Sequence, residues 1–120
     1  MRFLLVVLAT VFALSGCKEE PKPPIDYKGF VKSYTLSELC SSNRPIDKEG
    51  CTAYILGAID LQASLSAEIG EDAYCRSFNT KDAVNTVSGY MKSHQDKSSY
   101  PAGLIVYLAM EDAYGCTEKQ

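Results

Sequence analysis

PAGLIVYLAMEDAYGC, residues 101 to 116, carries the clearest periodicity in the chain. Ala102, Ile105, Val106, Ala109, Met110 and Ala113 recur at three- and four-residue steps, which places them on one stripe of an α-helix. Pro101 suits the first helical position because the N–H it lacks has no partner there. Gly115 suits the position just beyond the end. Moving toward the N-terminus, Thr80 is placed to cap another helix, with Asp82 favourable against the positive end of its dipole. Val84, Val87 and Met91 form its inner stripe, flanked by Ala83 and Tyr90. A polar loop from His94 to Ser99 joins the two helices.

Upstream again, Asp47 can cap a longer helix running to about Ile69, where Gly70 ends it. Cys51, Tyr54, Ile55, Ala58, Ile59 and Leu65 follow the helical period. Gly57 within it costs about 1 kcal/mol relative to alanine, and close approach of a neighbouring helix is the expected compensation. Thr35 with Glu38 three residues on forms a capping box for a first, short helix carrying Leu36, Leu39 and Cys40. Every element is helical, so the expectation is a small all-α, four-helix bundle-like domain over residues 30–120.

The residues before this domain read as an export signal. Arg2 precedes an apolar run from Phe3 to Leu14, too short to span a bilayer, which takes about 20 apolar residues. Leu14-Ser15-Gly16-Cys17 has the pattern of a lipobox, so cleavage after Gly16 and lipidation of Cys17 are expected, with the acyl chains as the membrane anchor. Lys18 stands where an inner-membrane-retained lipoprotein usually carries aspartate, which favours the inner leaflet of the outer membrane. Residues 17–29, containing Pro21, Pro23 and Pro24, read as an extended tether.

Besides Cys17 there are Cys40, Cys51, Cys75 and Cys116, an even set that in an exported small domain reads as disulfides. Four cysteines allow three connectivities. Cys40 ends the first helix and Cys51 lies early in the second, while Cys75 and Cys116 flank an antiparallel third and fourth, so these two pairings are the geometrically easy ones.

The residue types present point away from an enzyme. His94 is the single histidine, no nucleophile elbow or phosphate loop is present, and zinc-ligand spacing is missing, so neither a catalytic set nor a metal or other cofactor is expected. A formal net charge of −3 gives no reason to expect a nucleic-acid partner. Asp60 lies beside the apolar stripe of the second helix, where a buried carboxylate would need a hydrogen-bonded structural network.

These residues resemble the Rap/Tai family of type VI secretion immunity proteins. The resemblance rests on the LxxLC at Leu36–Cys40, CTAYILGAID from Cys51 to Asp60, the lone Cys75, the helix with Val84, Val87 and Tyr90, and the run ending at Cys116. It implies a helical periplasmic fold with two disulfides, often homodimeric, that binds a peptidoglycan amidase effector and occludes its active-site cleft. The lipobox and tether depart from the freely soluble form usual in that family. Occlusion calls for a protruding element. The candidates are the His94–Tyr100 loop, with His94, Gln95 and Tyr100, and the Ser41–Asp47 loop with Arg44. The competing readings are an acid-stress chaperone of the HdeA type and an envelope-interaction lipoprotein with no toxin partner.

Overall fold

A computed structural model describes residues 30–116; the expected signal sequence, Cys17 and the expected tether lie outside them, as do residues 117–120. The described chain forms α1 (Ser33–Ser41), α2 (Pro45–Glu68), α3 (Thr80–Ser93), a short 3-10 turn (Gln95–Lys97) and α4 (Ala102–Tyr114). The domain is all-α, with one isolated antiparallel bridge between Lys32 and Pro101. Its core joins one stripe from each helix. Leu36 comes from α1, Cys51, Ile55 and Ile59 from α2, Ala83, Val87 and Met91 from α3, and Ala102, Ile105, Val106, Ala109 and Met110 from α4. Burial of these apolar side chains, at about 25 cal/mol per Å², is the main force holding the helices together.

The helix starts are set by neighbours as much as by local caps. α1 begins at Ser33, ahead of the Thr35–Glu38 box, and has no side-chain cap. Its first amides instead donate across the fold, Ser33 N to Tyr100 O (2.8 Å) and Tyr34 N to Ser98 O (2.9 Å). With those donors satisfied, a capping box two residues later is unnecessary. α2 begins at Pro45 rather than after Asp47; proline fills the first turn and Asp47 accepts from the Ser42 hydroxyl at 2.6 Å. The loop before it therefore shrinks to Ser42–Arg44. α3 is capped by Asn79, not Thr80, through a reciprocal capping box with Asp82. Pro101 stands one residue outside α4, where the Lys32 bridge and the Ala102 N to Val31 O bond (2.8 Å) sew the start of α4 to the chain entering α1.

The ends differ from one another. α2 closes in a Schellman motif, Gly70 N to Ala67 O and Glu71 N to Ser66 O, with Gly70 at φ +76°. Gly115 is the C-cap of α4 in an extended conformation, not a left-handed residue beyond it. Its requirement for glycine is steric, because an added Cβ would lie 2.5 Å from the Glu111 carbonyl oxygen. Gly57 is exposed, with open space around it, so no neighbouring helix approaches there. Leu65, expected in the core, is also exposed, for a reason of length: α2 has 24 residues against 14 in α3 and 13 in α4. At about 1.5 Å per residue, its last turns run on past the core they share with the other helices.

Two disulfides close the structure. Cys40–Cys51 ties the end of α1 to buried Cys51, and Cys75–Cys116 ties the loop before α3 to the residue after α4. Beside the second bond, Phe78 packs between Tyr74 and Tyr114, with ring centroids 5.1 and 4.8 Å away. Cys75 N also donates to Tyr114 O at 2.9 Å.

Gly57→Ala should stabilise the domain by about 0.5–1 kcal/mol, and Gly115→Ala should destabilise it by about 1–3 kcal/mol, both read from urea unfolding midpoints. Replacing either cysteine pair by alanine should cost about 3–4 kcal/mol by loop entropy, seen as a fall in Tm under oxidising conditions.

Candidate effector-binding surfaces

The polar segment between α3 and α4 is ordered by its own contacts. His94 caps α3, its backbone amide donating to Tyr90 O at 3.0 Å. The His94 ring stacks on Tyr90, with centroids 3.8 Å apart and planes 14° from parallel. Nδ1 lies 2.9 Å from the same Tyr90 carbonyl, which can only accept, so Nδ1 carries the proton and Nε2 remains for other contacts. Gln95 is exposed on the 3-10 turn. Lys97 donates to Asp96 at 3.1 Å, a bond that holds the Asp96 carboxyl below its usual range. Tyr100 is half-buried against the core, and its carbonyl receives the Ser33 amide. The segment thus presents His94 and Gln95 outward, while Tyr100 is partly committed to packing.

Arg44 lies elsewhere. Its side chain is exposed, with Nε 3.6 Å from Asp47, and it follows the last turn of α1, whereas Ser98 and Tyr100 meet the first. The nine residues of α1, about 13 Å of helix at 1.5 Å each, separate the two loops. The structure does not bring Arg44 together with His94, Gln95 and Tyr100. Asp60 is a correction of another kind. It is exposed, and its backbone carbonyl, not its carboxylate, receives the Ser64 hydroxyl at 2.8 Å, so it anchors no buried network. Its place on α2 turns it away from the Cys51–Ile55–Ile59 stripe.

Two concave surfaces flank α4. One, about 440 Å³, is lined by Tyr90 and His94 from the α3 side, by Leu108, Glu111 and Asp112 from α4, and by Arg76 and Gly115. The other, about 350 Å³, lies between the far half of α2 and the start of α4. Its walls include Ala58, Leu61, Leu65 and Ile69 from α2 and Gly103 and Tyr107 from α4. Leu61, Leu65, Ile69 and Tyr107 are exposed by 60, 62, 70 and 44% respectively, a contiguous apolar strip of the kind that marks contact surfaces. Gln62, also in this groove, accepts the hydroxyl of Tyr74. Partial burial, reinforced by Glu111 and Tyr107, pushes the Tyr74 phenol up to about 12. Leu61 and Tyr107 were missed as surface residues. The signal was present: Leu61, Leu65 and Ile69 form a four-residue repeat offset from Cys51, Ile55 and Ile59, a second stripe on one helix.

The described residues contain no group of three or more His, Cys, Asp or Glu side chains placed to hold a metal ion. No helix among them is long and apolar enough to cross a membrane.

A family model described as Rap1a immunity proteins matches residues 32–116, which is the four-helix domain from the bridge at Lys32 to the second disulfide. The chain belongs to that family. It is therefore an immunity protein of the type VI secretion class, whose members bind a toxin effector and typically work in the periplasm. No curated protein and no solved structure matches it.

The raised Tyr74 value has a checkable consequence. The unfolded phenol ionises near 10 and the folded one near 12, so its contribution to stability is complete below pH 10 and is lost as pH climbs toward 12. Absorbance titration at alkaline pH should show a late-ionising tyrosine that disappears in Tyr74→Phe.

Proposed function

We propose that this protein is a periplasmic lipoprotein that neutralises a peptidoglycan amidase effector by contact, covering the effector's cleft without turning anything over. The observation that carries the reading is the immunity-family match across residues 32–116. The physical features fit it. Two disulfides and an interlocked core hold the surface rigid, so little conformational entropy is lost on binding. The Leu14–Cys17 sequence supports acylation at Cys17, which would concentrate the inhibitor at the membrane beside the cell wall that an amidase attacks. Lys18 favours the outer membrane.

In this reading the His94–Tyr100 segment enters or rims the cleft. The Tyr90–His94 stack offers a flat aromatic face, His94 Nε2 and the Gln95 amide offer hydrogen bonds, and Tyr100 supports the segment from beneath. Arg44, at the other end of α1, would make a separate peripheral contact. Neither contact calls for a metal, a cofactor or a nucleic acid.

The test is inhibition of a purified peptidoglycan amidase encoded beside this protein's gene, using the mature chain. Stoichiometric inhibition is expected. His94→Ala combined with Gln95→Ala should weaken it by about tenfold or more with helix content unchanged by circular dichroism. Full inhibition by that variant removes the segment from the contact, and no inhibition by the wild-type chain ends the amidase reading.

A further inference from the structure

The geometry points to the groove between the far half of α2 and the start of α4 as the seat for a cationic protein element anchored by aliphatic side chains. This rests on the reading of the chain as an effector-binding protein and names the chemistry its partner presents.

The floor and walls are apolar. Leu61, Leu65 and Ile69 come from α2 and Tyr107 from α4. Gly103 adds no side chain on the α4 side, so the lining of the groove is mostly carbon. The polar groups in the groove are largely engaged: Gln62 receives the Tyr74 hydroxyl, and the Ser66 carbonyl accepts from Ile69 and Glu71. Such a seat rewards a Leu, Ile or Met anchor and offers little to a polar ligand.

Charge then selects the partner. From Glu49 to Cys75 the sequence has no lysine or arginine, and carries Glu49, Asp60, Glu68, Glu71 and Asp72. The same holds from Pro101 to Cys116, which contains Glu111 and Asp112. Glu68 adjoins Ile69 and Glu71 follows the Gly70 turn at the end of the groove, whereas Glu111, one helical turn beyond Tyr107, lines the other concavity beside Arg76. The Ile69 end of the apolar strip is therefore bordered by the Glu68 and Glu71 carboxylates, with no cation among the residues that line the groove. An anionic membrane surface would be repelled. A second copy of the chain would set one acidic border against another. A partner whose own anchor is ringed by Lys or Arg meets complementary charge, and gains most in the rate and specificity of association.

The experiment uses the full mature chain and a labelled amphipathic peptide of leucine and lysine, with a leucine–glutamate peptide as control. The leucine–lysine peptide should bind and the control should not. Affinity should fall about tenfold or more in Leu61→Ser/Leu65→Ser, whose positions are exposed and leave the core intact, and again in Glu68→Lys/Glu71→Lys. Equal binding by wild type and both variants overturns the inference. So does a wild-type dimer in sedimentation that Leu61→Ser/Leu65→Ser disperses, or uptake by phosphatidylglycerol vesicles lost in that same variant. The amidase assay separates the two readings. Inhibition that survives Leu61→Ser/Leu65→Ser sinks the groove and leaves the proposed function. Groove-dependent peptide binding without any inhibition sinks the amidase reading and supports the groove.

Discussion

Burial of one face of α4 is the constraint from which the other contacts follow. Ala102, Ile105, Val106, Ala109 and Met110 are all withdrawn from water, and every other helix contributes to the layer that covers them. The two alanines keep parts of that face shallow, and the larger side chains interlock with Leu36, Ile55 and Val87. Both ends of α4 are then held by groups distant in sequence. At its start, backbone hydrogen bonds join it to Val31 and Ser33; at its end, the Cys75–Cys116 bond and the Tyr74–Phe78–Tyr114 cluster bring back the loop before α3. A helix of 13 residues has marginal stability alone. Here tertiary packing supplies what propensity does not.

The fold class was legible because periodicity reports burial directly, and the stripes of α3 and α4 are short enough to be covered along most of their length, with Val84 and Ala113 half-buried. The helix boundaries were less legible for a consistent physical reason. Thr35, Asp47 and Thr80 all have capping chemistry, but a capping residue competes with any other acceptor that can reach the same amides. Tyr100 and Ser98 carbonyls win at α1, Pro45 removes the need at α2, and Asn79 holds the better reciprocal partner at α3. Those acceptors come from the folded state or from an adjacent residue of equal merit, so local pattern does not rank them.

α2 shows where a periodic reading overreaches. Its apolar residues belong to two stripes, one meeting the core through Cys51, Ile55 and Ile59 and one facing outward through Leu61, Leu65 and Ile69. Treated as a single face, Leu65 becomes core and Asp60 becomes a buried carboxylate; with the stripes separated, both are surface residues. Helix length sets the limit, since neighbours of 13 and 14 residues do not cover 24. His94 and Gln95 were recognisable as accessible polar groups between two helices. The stacking of His94 on Tyr90 is a tertiary consequence of the way α3 ends, and Tyr100 owes its partial burial to the arrival of α1.

The bridge between Lys32 and Pro101 also determines how the domain bears mechanical load. Tension arriving along the chain ahead of Phe30 reaches the Ala102 N to Val31 O and Ser33 N to Tyr100 O bonds before it reaches the hydrogen bonds inside α1. Force is passed sideways into the start of α4, the most deeply packed helix, instead of peeling α1 open from its first turn. The entry of the chain and the start of α4 are in this way fastened to each other, so neither opens without the other.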